Sequence, residues 1–499
     1  MKHILFFIIS MLATASLYAQ PTSVKRVEYS MKNDISVLSY VPFGQEGYIQ
    51  RSIDKEINKK NKKVNTITYT KFNTDLEPVF ETNIAIPIKN YATFIDTSTH
   101  FMYELSYSNK RNYIIHKIDV ATMNVTQLSG AFQKKMYVQN VVAINECLYI
   151  LGAIKKNPFL LIKNTAHNTE TIAKIIPSSI RDFSIISMHK DSKSPEMFLF
   201  ARDKIAGELV VKMYVFENGT KKTEIIIPQQ QNDVYVTNFS ASKIADNSYI
   251  LTGTYKPSKK HLVSNGIFIM KIENKQIVFT KFYNYLDIQN FTSYLSQRQQ
   301  DKIERKKTRK RAKGKDLAYN YFIASHPIHY YNGTYTLVGE AYYPTYRTEC
   351  YPTVTSTGTR TTCTQVFDGY EYTHYFLMSF NEQGEILWSN SKAFALTYKP
   401  MNIMRFLKVQ HTEQTTNVVY TTSNKFYYAI FKDGNETTSQ EYALVETLDE
   451  NDDVRVSSAR TYYWYDDFYI THGYQKIKNK EEGEKRKVYY LNKIQLLTE

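Results

Sequence analysis

A hairpin that recurs roughly every 50 residues constrains this chain more than any other feature. Each copy has an apolar strand in which an aromatic residue precedes a glycine, as in LYILG ending at Gly152, YILTG at Gly253, YTLVG at Gly339 and YITHG at Gly473. A second strand follows and runs into a polar turn. Its pre-turn positions are Phe72, Ile118, Ile162, Phe216, Ile272, Phe380 and Phe431, separated by 46, 44, 54, 56, 108 and 51 residues. The chain ends in one more copy, KVYYLNKIQLL. Two hairpins per period of this length are what four-stranded propeller blades require. A pair of β-sandwiches also yields short strands with regular turns, but about eight similar units favour a ring. The expected fold is all-β: a β-propeller of seven or eight blades, occupying residues 20–499 as a single domain. The strand RVEYSM, from Arg26, is placed to close the ring against the last strand.

The compartment is read from the first residues. Lys2 and His3 precede an apolar run over residues 4–12, too short to span a bilayer, and Leu17-Tyr18-Ala19 precedes Gln20 in the manner of a signal-peptidase site. Residues 1–19 therefore read as a signal peptide, with no cysteine after the site to carry a lipid. No later run reaches 18 apolar residues, so no transmembrane span is expected. The mature protein is expected in the periplasm or at the outer membrane, ahead of the extracellular medium, because no separate C-terminal sorting domain is visible. The 42 Tyr and 27 Phe suit pleated, half-buried strands. Only 17 Gly and 13 Pro are present, which leaves the turns largely to Asn, Asp, Lys and Glu.

The long step between Ile272 and Phe380 holds two insertions, 286–325 and 344–368. The first contains YLSQRQQDKIERKKTRKRAKGKD, a helical or disordered segment near 294–318 that Gly314 terminates. Ten basic residues there face only Asp301, Glu304 and Asp316, with Arg305, Lys306, Lys307, Arg309, Lys310 and Arg311 at the centre. They contribute much of the formal net charge of +15. Clustered like charge attracts anionic partners. In an exported protein these are acidic lipids, acidic glycans or an acidic protein surface, and the compartment argues against nucleic acid. Too few apolar residues accompany the cations for deep insertion into lipid.

The second insertion lies in a block that opens GEAYYPTY and resumes FDGYEYTHYFLMSFNEQGEILW. Between them a Thr-rich stretch is flanked by Cys350 and Cys363. In an oxidising compartment these close a loop worth roughly 3 kcal/mol by its entropy. Cys147, inside an apolar strand, reads as a buried small hydrophobe. Glu340, Tyr342, Tyr343, Tyr346, Asp368, Tyr370 and His374, with Tyr372, form a polar and aromatic cluster at a strand end. Tyrosines there can stack on sugar rings, and Asp368-Gly369 reads as a turn. Over residues 339–388 the combination of GEAYYPxY with FDGYxYTHxxxxxFxxxGxxLW resembles a family of uncharacterised exported proteins of Bacteroidota-type bacteria. The resemblance implies an envelope or secreted location and a propeller-like fold, and it implies no activity.

Catalytic signatures are absent. There is no phosphate-binding glycine loop, no G-x-S-x-G elbow and no HExxH. His326 and His329 flank Pro327, in a β context rather than on a helical metal face. No cofactor or metal is expected. The function expected is a non-enzymatic interaction scaffold of the cell envelope, binding an envelope protein or acidic component through loops on one propeller face. The alternative is a carbohydrate-active hydrolase or lyase, or a glycan-binding module, using the Tyr-rich region 339–374. Hydrolysis would need Glu340 and Asp368 to stand about 5–10 Å apart.

Overall fold

The computed structural model describes residues 21–497 apart from 31–34, 58–62, 87–90, 109–110, 155–156, 174, 176–182, 192, 315–316, 318, 356–357 and 439–440. The signal-peptide reading of residues 1–19, Lys315 and Asp316 lie outside the described residues. Eight antiparallel sheets follow one another along the chain. Seven are contiguous and span residues 35–86, 91–131, 137–173, 184–228, 230–284, 322–393 and 408–444, here blades 1 to 7. Blade 8 takes its first three strands from residues 452–496 and its outermost strand from Pro21–Ser30. The expected propeller is present, with eight blades, and its ring is closed by the N-terminal strand. Val27 pairs with Leu491, Ser23 Oγ donates to Asn492 Oδ1 (2.7 Å), and Arg26 lies 4.4 Å over the Tyr490 ring.

The recurring hairpin corresponds to the two central strands of each blade, not to its first two. Gly152, Gly253, Gly339 and Gly473 lie on second strands, and Phe72, Ile118, Ile162, Phe216, Ile272, Phe380 and Phe431 on third strands. Both kinds of strand are covered on each side by a neighbouring blade. Phe198 and Phe200 of blade 4, for example, pack with Tyr249 and Phe268 of blade 5. In blades 3 and 5 the glycine answers to the inner strand, which bulges beside it. In blade 5 the register shifts between Thr237 and Ser240, and Asn238 adopts φ +52°. A Cβ on Gly253 would stand 2.1 Å from the Asn238 carbonyl oxygen. Gly253→Ala is expected to cost about 1–3 kcal/mol by overpacking, read as a lowered thermal midpoint. An unchanged midpoint would mean that the bulge yields freely.

The turns follow composition in part. Asn145, Asn168, Asn218, Asn247, Asn274, Asn332, Asp433 and Asp466 hold the left-handed conformation in tight turns, with Lys275 beside them. No described Glu does so. One buried ion pair joins blades 1 and 2. Arg51 donates through Nε (2.5 Å) and Nη2 (2.7 Å) to the Glu104 carboxylate, which also accepts from Tyr69 Oη at 2.5 Å. Glu104 is fully buried and Arg51 nearly so.

Candidate interaction face

Antiparallel meander order sorts the loops onto two faces. Turns from inner to second strand and from third to outer strand share one face, and each spans two to five residues. Hairpins from second to third strand share the opposite face with the blade-to-blade linkers. Both insertions belong to that opposite face, one in the linker from blade 5 to blade 6 and one in the central hairpin of blade 6. The first insertion ends at Tyr321, since Phe322–Ser325 is already an inner strand of blade 6.

The basic segment is an α-helix, Gln297–Arg311. The Ser296 N–H and hydroxyl both donate to Gln299 Oε1 at its start (3.0 and 2.9 Å), and Gly314 ends it at φ +64°. Ile303 anchors it, buried with Leu286 and Leu317. Lys307 donates to the Leu286 carbonyl (2.5 Å) and Arg311 to Asp287 (2.6 Å), so these two cations pin the helix to its own linker. Arg305 Nε bonds the Asp301 carbonyl (3.2 Å). Lys302, Lys306, Arg309 and Lys310 recur at helical spacing on one exposed stripe, Lys313 follows just past the helix end, and none of the five has an acidic partner among the described residues.

The second insertion is not a loop. The central strands of blade 6 run on as Thr334–Thr355 and Gly358–Phe380, forming a two-stranded ribbon with Cys350 paired opposite Cys363. These cysteines form the expected disulfide. The β-branched threonines flanking it suit a strand. Asp368-Gly369 is a bulge in the ribbon and not a turn. Register shifts opposite it, and Gly369 takes φ +100° where a Cβ would meet Lys399 and Pro400 within about 3 Å. Beyond the bulge the ten pairs from Tyr346 reach about 33 Å at 3.3 Å per residue. An isolated two-stranded ribbon is marginal in water. Reduction is therefore expected to speed amide exchange between Tyr346 and Phe367 about tenfold or more, within the roughly 3 kcal/mol of loop entropy the bridge removes. Blades 1 to 4 should keep their protection. Equal exchange before and after reduction would show that the ribbon holds itself.

The residues singled out in the sequence divide sharply in exposure. Glu340 is fully buried. Its oxygens accept from the backbone N–H groups of Phe406 (2.9 Å) and Leu407 (3.0 Å) and contact His326 Nε2 (2.7 Å), so it clamps the linker between blades 6 and 7. Tyr342 and Tyr372 are core residues between those blades. The Tyr372 hydroxyl spans the Met404 carbonyl (2.5 Å) and N–H (3.0 Å). Tyr370 turns its edge to Tyr342. Tyr343 and Tyr346 are exposed. A hydrogen bond to Glu371 pushes the Tyr343 phenol up to about 12. Asp368 pairs with Arg347 (3.6 Å) and Lys399 (3.4 Å). Glu340 lies opposite Tyr375, and Asp368 some five residue steps further out, about 17 Å along the ribbon. The two carboxylates form no catalytic pair at glycosidase spacing.

His374, in the third strand of blade 6, is where the helical insertion packs on the blade. Its ring stacks on Tyr294 of the helical insertion (3.8 Å, 5°) and meets Phe291 and Tyr321 edge-on (5.4 and 5.1 Å). Nδ1 contacts Thr373 Oγ1 at 2.9 Å, and Nε2 is buried without a partner. Burial pushes its pKa down to about 3. His326 and His329 do not share a site: His326 contacts Glu340, whereas His329 stacks on His411 (3.9 Å). No group of three metal-ligating side chains occurs among the described residues. Cys147 is buried, and burial pushes its thiol up. The sequence reading missed the channel cations Arg405, Lys408 and Arg460. Only recognition of the polar inner strands and the linker before blade 7 would have found them.

No protein-family model matches the chain, and no curated protein does. Among solved structures, it is similar to the β-propeller domain of the Trilobed protease from Pyrococcus furiosus, at 11% identity and TM-score 0.34, covering 84% of this chain and 100% of that one. It is similar to the WD40 domain of SCAP from fission yeast, at 8% and 0.37, covering 83% and 99%. It is also similar to the Pyrococcus horikoshii acylaminoacyl peptidase, at 10% and 0.34, covering 90% of this chain and 58% of that one.

Proposed function

We propose that this chain is a non-enzymatic, exported scaffold of the bacterial cell envelope, which engages an envelope protein or an acidic envelope component through the face bearing the basic helix and the ribbon. The observation that carries this reading is the stripe of Lys302, Lys306, Arg309 and Lys310, extended by Lys313, on a helix that is locked to the propeller. Like charges at i,i+4 weaken a helix by roughly 0.2–0.5 kcal/mol per pair. An anionic partner would relieve that repulsion, and the ribbon on the same face supplies a second arm. A propeller offers a rigid disc for such contacts. The signal-peptide pattern and the resemblance to exported Bacteroidota-type proteins support the compartment.

The test compares the intact chain with a Lys306→Glu, Arg309→Glu, Lys310→Glu variant as baits on native envelope extracts. All three side chains are exposed, so the variant should fold. A defined partner held by the intact chain, weakened by salt and lost by the variant, is the expected result. A partner held equally by both would overturn the role of the helix. The exposure of Tyr343 and Tyr346 favours glycan binding as a second reading. Binding on a glycan array that is abolished by Tyr343→Ala with Tyr346→Ala would support it. Tyr342 is unsuitable for that experiment, because it is a core residue.

A further inference from the structure

The central channel holds a cluster that the interaction face does not use. After blade 6 the chain passes through a linker, 394–407, that carries Met404 and Arg405 into the channel. On one side Arg405 borders a cavity of about 600 Å³ with His189 and Asn238 of blades 4 and 5. On the other, Tyr398 and Arg460 border a cavity of about 560 Å³ with Tyr40, His472 and Tyr474. Between them is a neck of about 80 Å³, on which Arg405, Lys408 and Arg460 converge.

These cations have no acidic partner within 4 Å among the described residues. The nearest carboxylate, Glu340, has both oxygens engaged by the Phe406 and Leu407 N–H groups and His326. Lys408 Nζ lies 5.2 Å over the Tyr462 ring. Desolvation, together with the charges of Arg460 and Arg405 and against the pull of the Glu340 carboxylate, holds the Lys408 ammonium below its ordinary pKa. Arg405 and Arg460 are solvent-exposed, and Lys408 is half-buried. Cations that line one neck without an ion-pair partner repel one another, and an anion seated among them relieves that repulsion. Two guanidiniums and an ammonium match an oxyanion by charge and by hydrogen-bond geometry.

We propose that the neck binds the anionic group of an acidic saccharide, through Arg405, Lys408 and Arg460. The uncharged part of the ligand lies in the 560 Å³ cavity, lined by the exposed Tyr398 ring and by Thr397, Ser423, Ser457 and Ser458. Its volume falls in the range of pockets that take small ligands.

Calorimetric titration of the full chain tests this with digalacturonate, a sulfated disaccharide, inorganic sulfate and neutral cellobiose as probes. Binding of digalacturonate or the sulfated disaccharide is expected, weakened about tenfold or more by either Lys408→Gln or Arg460→Gln. The preferred acidic disaccharide identifies the anionic group. The ligand-free Arg405→Gln, Lys408→Gln, Arg460→Gln triple variant should fold and melt close to the parent, since none of the three cations holds an ion pair among the described residues. No acidic disaccharide bound up to about 10 mM, or affinity unchanged in the triple variant, would overturn the site. Sulfate binding as tightly as either disaccharide would overturn the saccharide, and cellobiose binding equally would overturn the anion.

Discussion

Replacing Arg51 with Met is expected to destabilise the protein by about 3–5 kcal/mol, the usual cost of leaving a buried charge without its partner. Glu104 is fully buried between blades 1 and 2, and Arg51 neutralises it through two hydrogen bonds. The Tyr69 hydroxyl would remain, but a neutral donor does not balance a carboxylate. The double variant Arg51→Met, Glu104→Leu should recover most of the loss, because an apolar pair of similar volume is often no worse than a buried ion pair. Urea midpoints of the parent, the single and the double variant decide it. A single variant within 1 kcal/mol of the parent would show that water reaches this interface.

Acidification is the second large effect. His374 and His472 are held at about 3 and His189 at about 4, each chiefly by burial. Such groups bind protons more readily in the unfolded chain, whose histidines titrate near 6.5. The stability from keeping them neutral is present in full above pH 6.5 and is lost as pH falls from there through 4 towards 3. For His374 alone the full span corresponds to about 5 kcal/mol. Its protonated Nε2 would be a buried donor with no acceptor, inside a box of Phe291, Tyr294 and Tyr321. Urea midpoints at pH 7, 5 and 4 should fall steadily in the parent and less steeply in His374→Phe. Identical slopes would remove His374 from the account.

The sequence showed the middle of each blade and concealed its edges, for a physical reason. Second and third strands are covered on both sides, so Tyr249, Leu251, Phe268 and Met270 make dense apolar runs with a legible period. Inner strands face a polar channel and outer strands face solvent. The outer strand Thr169–Ala173 is almost wholly exposed and reads TETIA, which announces nothing. The count of seven or eight blades therefore became eight only with the sheets in view. At the candidate site, charge density alone marked the helix. Glu340 and His374 were visible as polar residues, but polarity in sequence does not distinguish an open site from a satisfied interior. Glu340 turned out to hold two backbone N–H groups, and His374 to sit in an aromatic box. The channel cations escaped notice because each is isolated in sequence and acquires meaning only where linker and inner strands converge.

Pro21–Ser30 is the outer edge of a sheet whose other strands arrive more than 420 residues later. Contacts of such separation are slow to form and, once made, slow to lose. Blade 8 thus acts as a latch: seven blades can assemble as the chain emerges, but the disc locks only when its first strand meets Lys485–Leu496. Until then the strand edges that will pair there remain open to other chains, which makes the interval before closure the time at which this protein most needs protection.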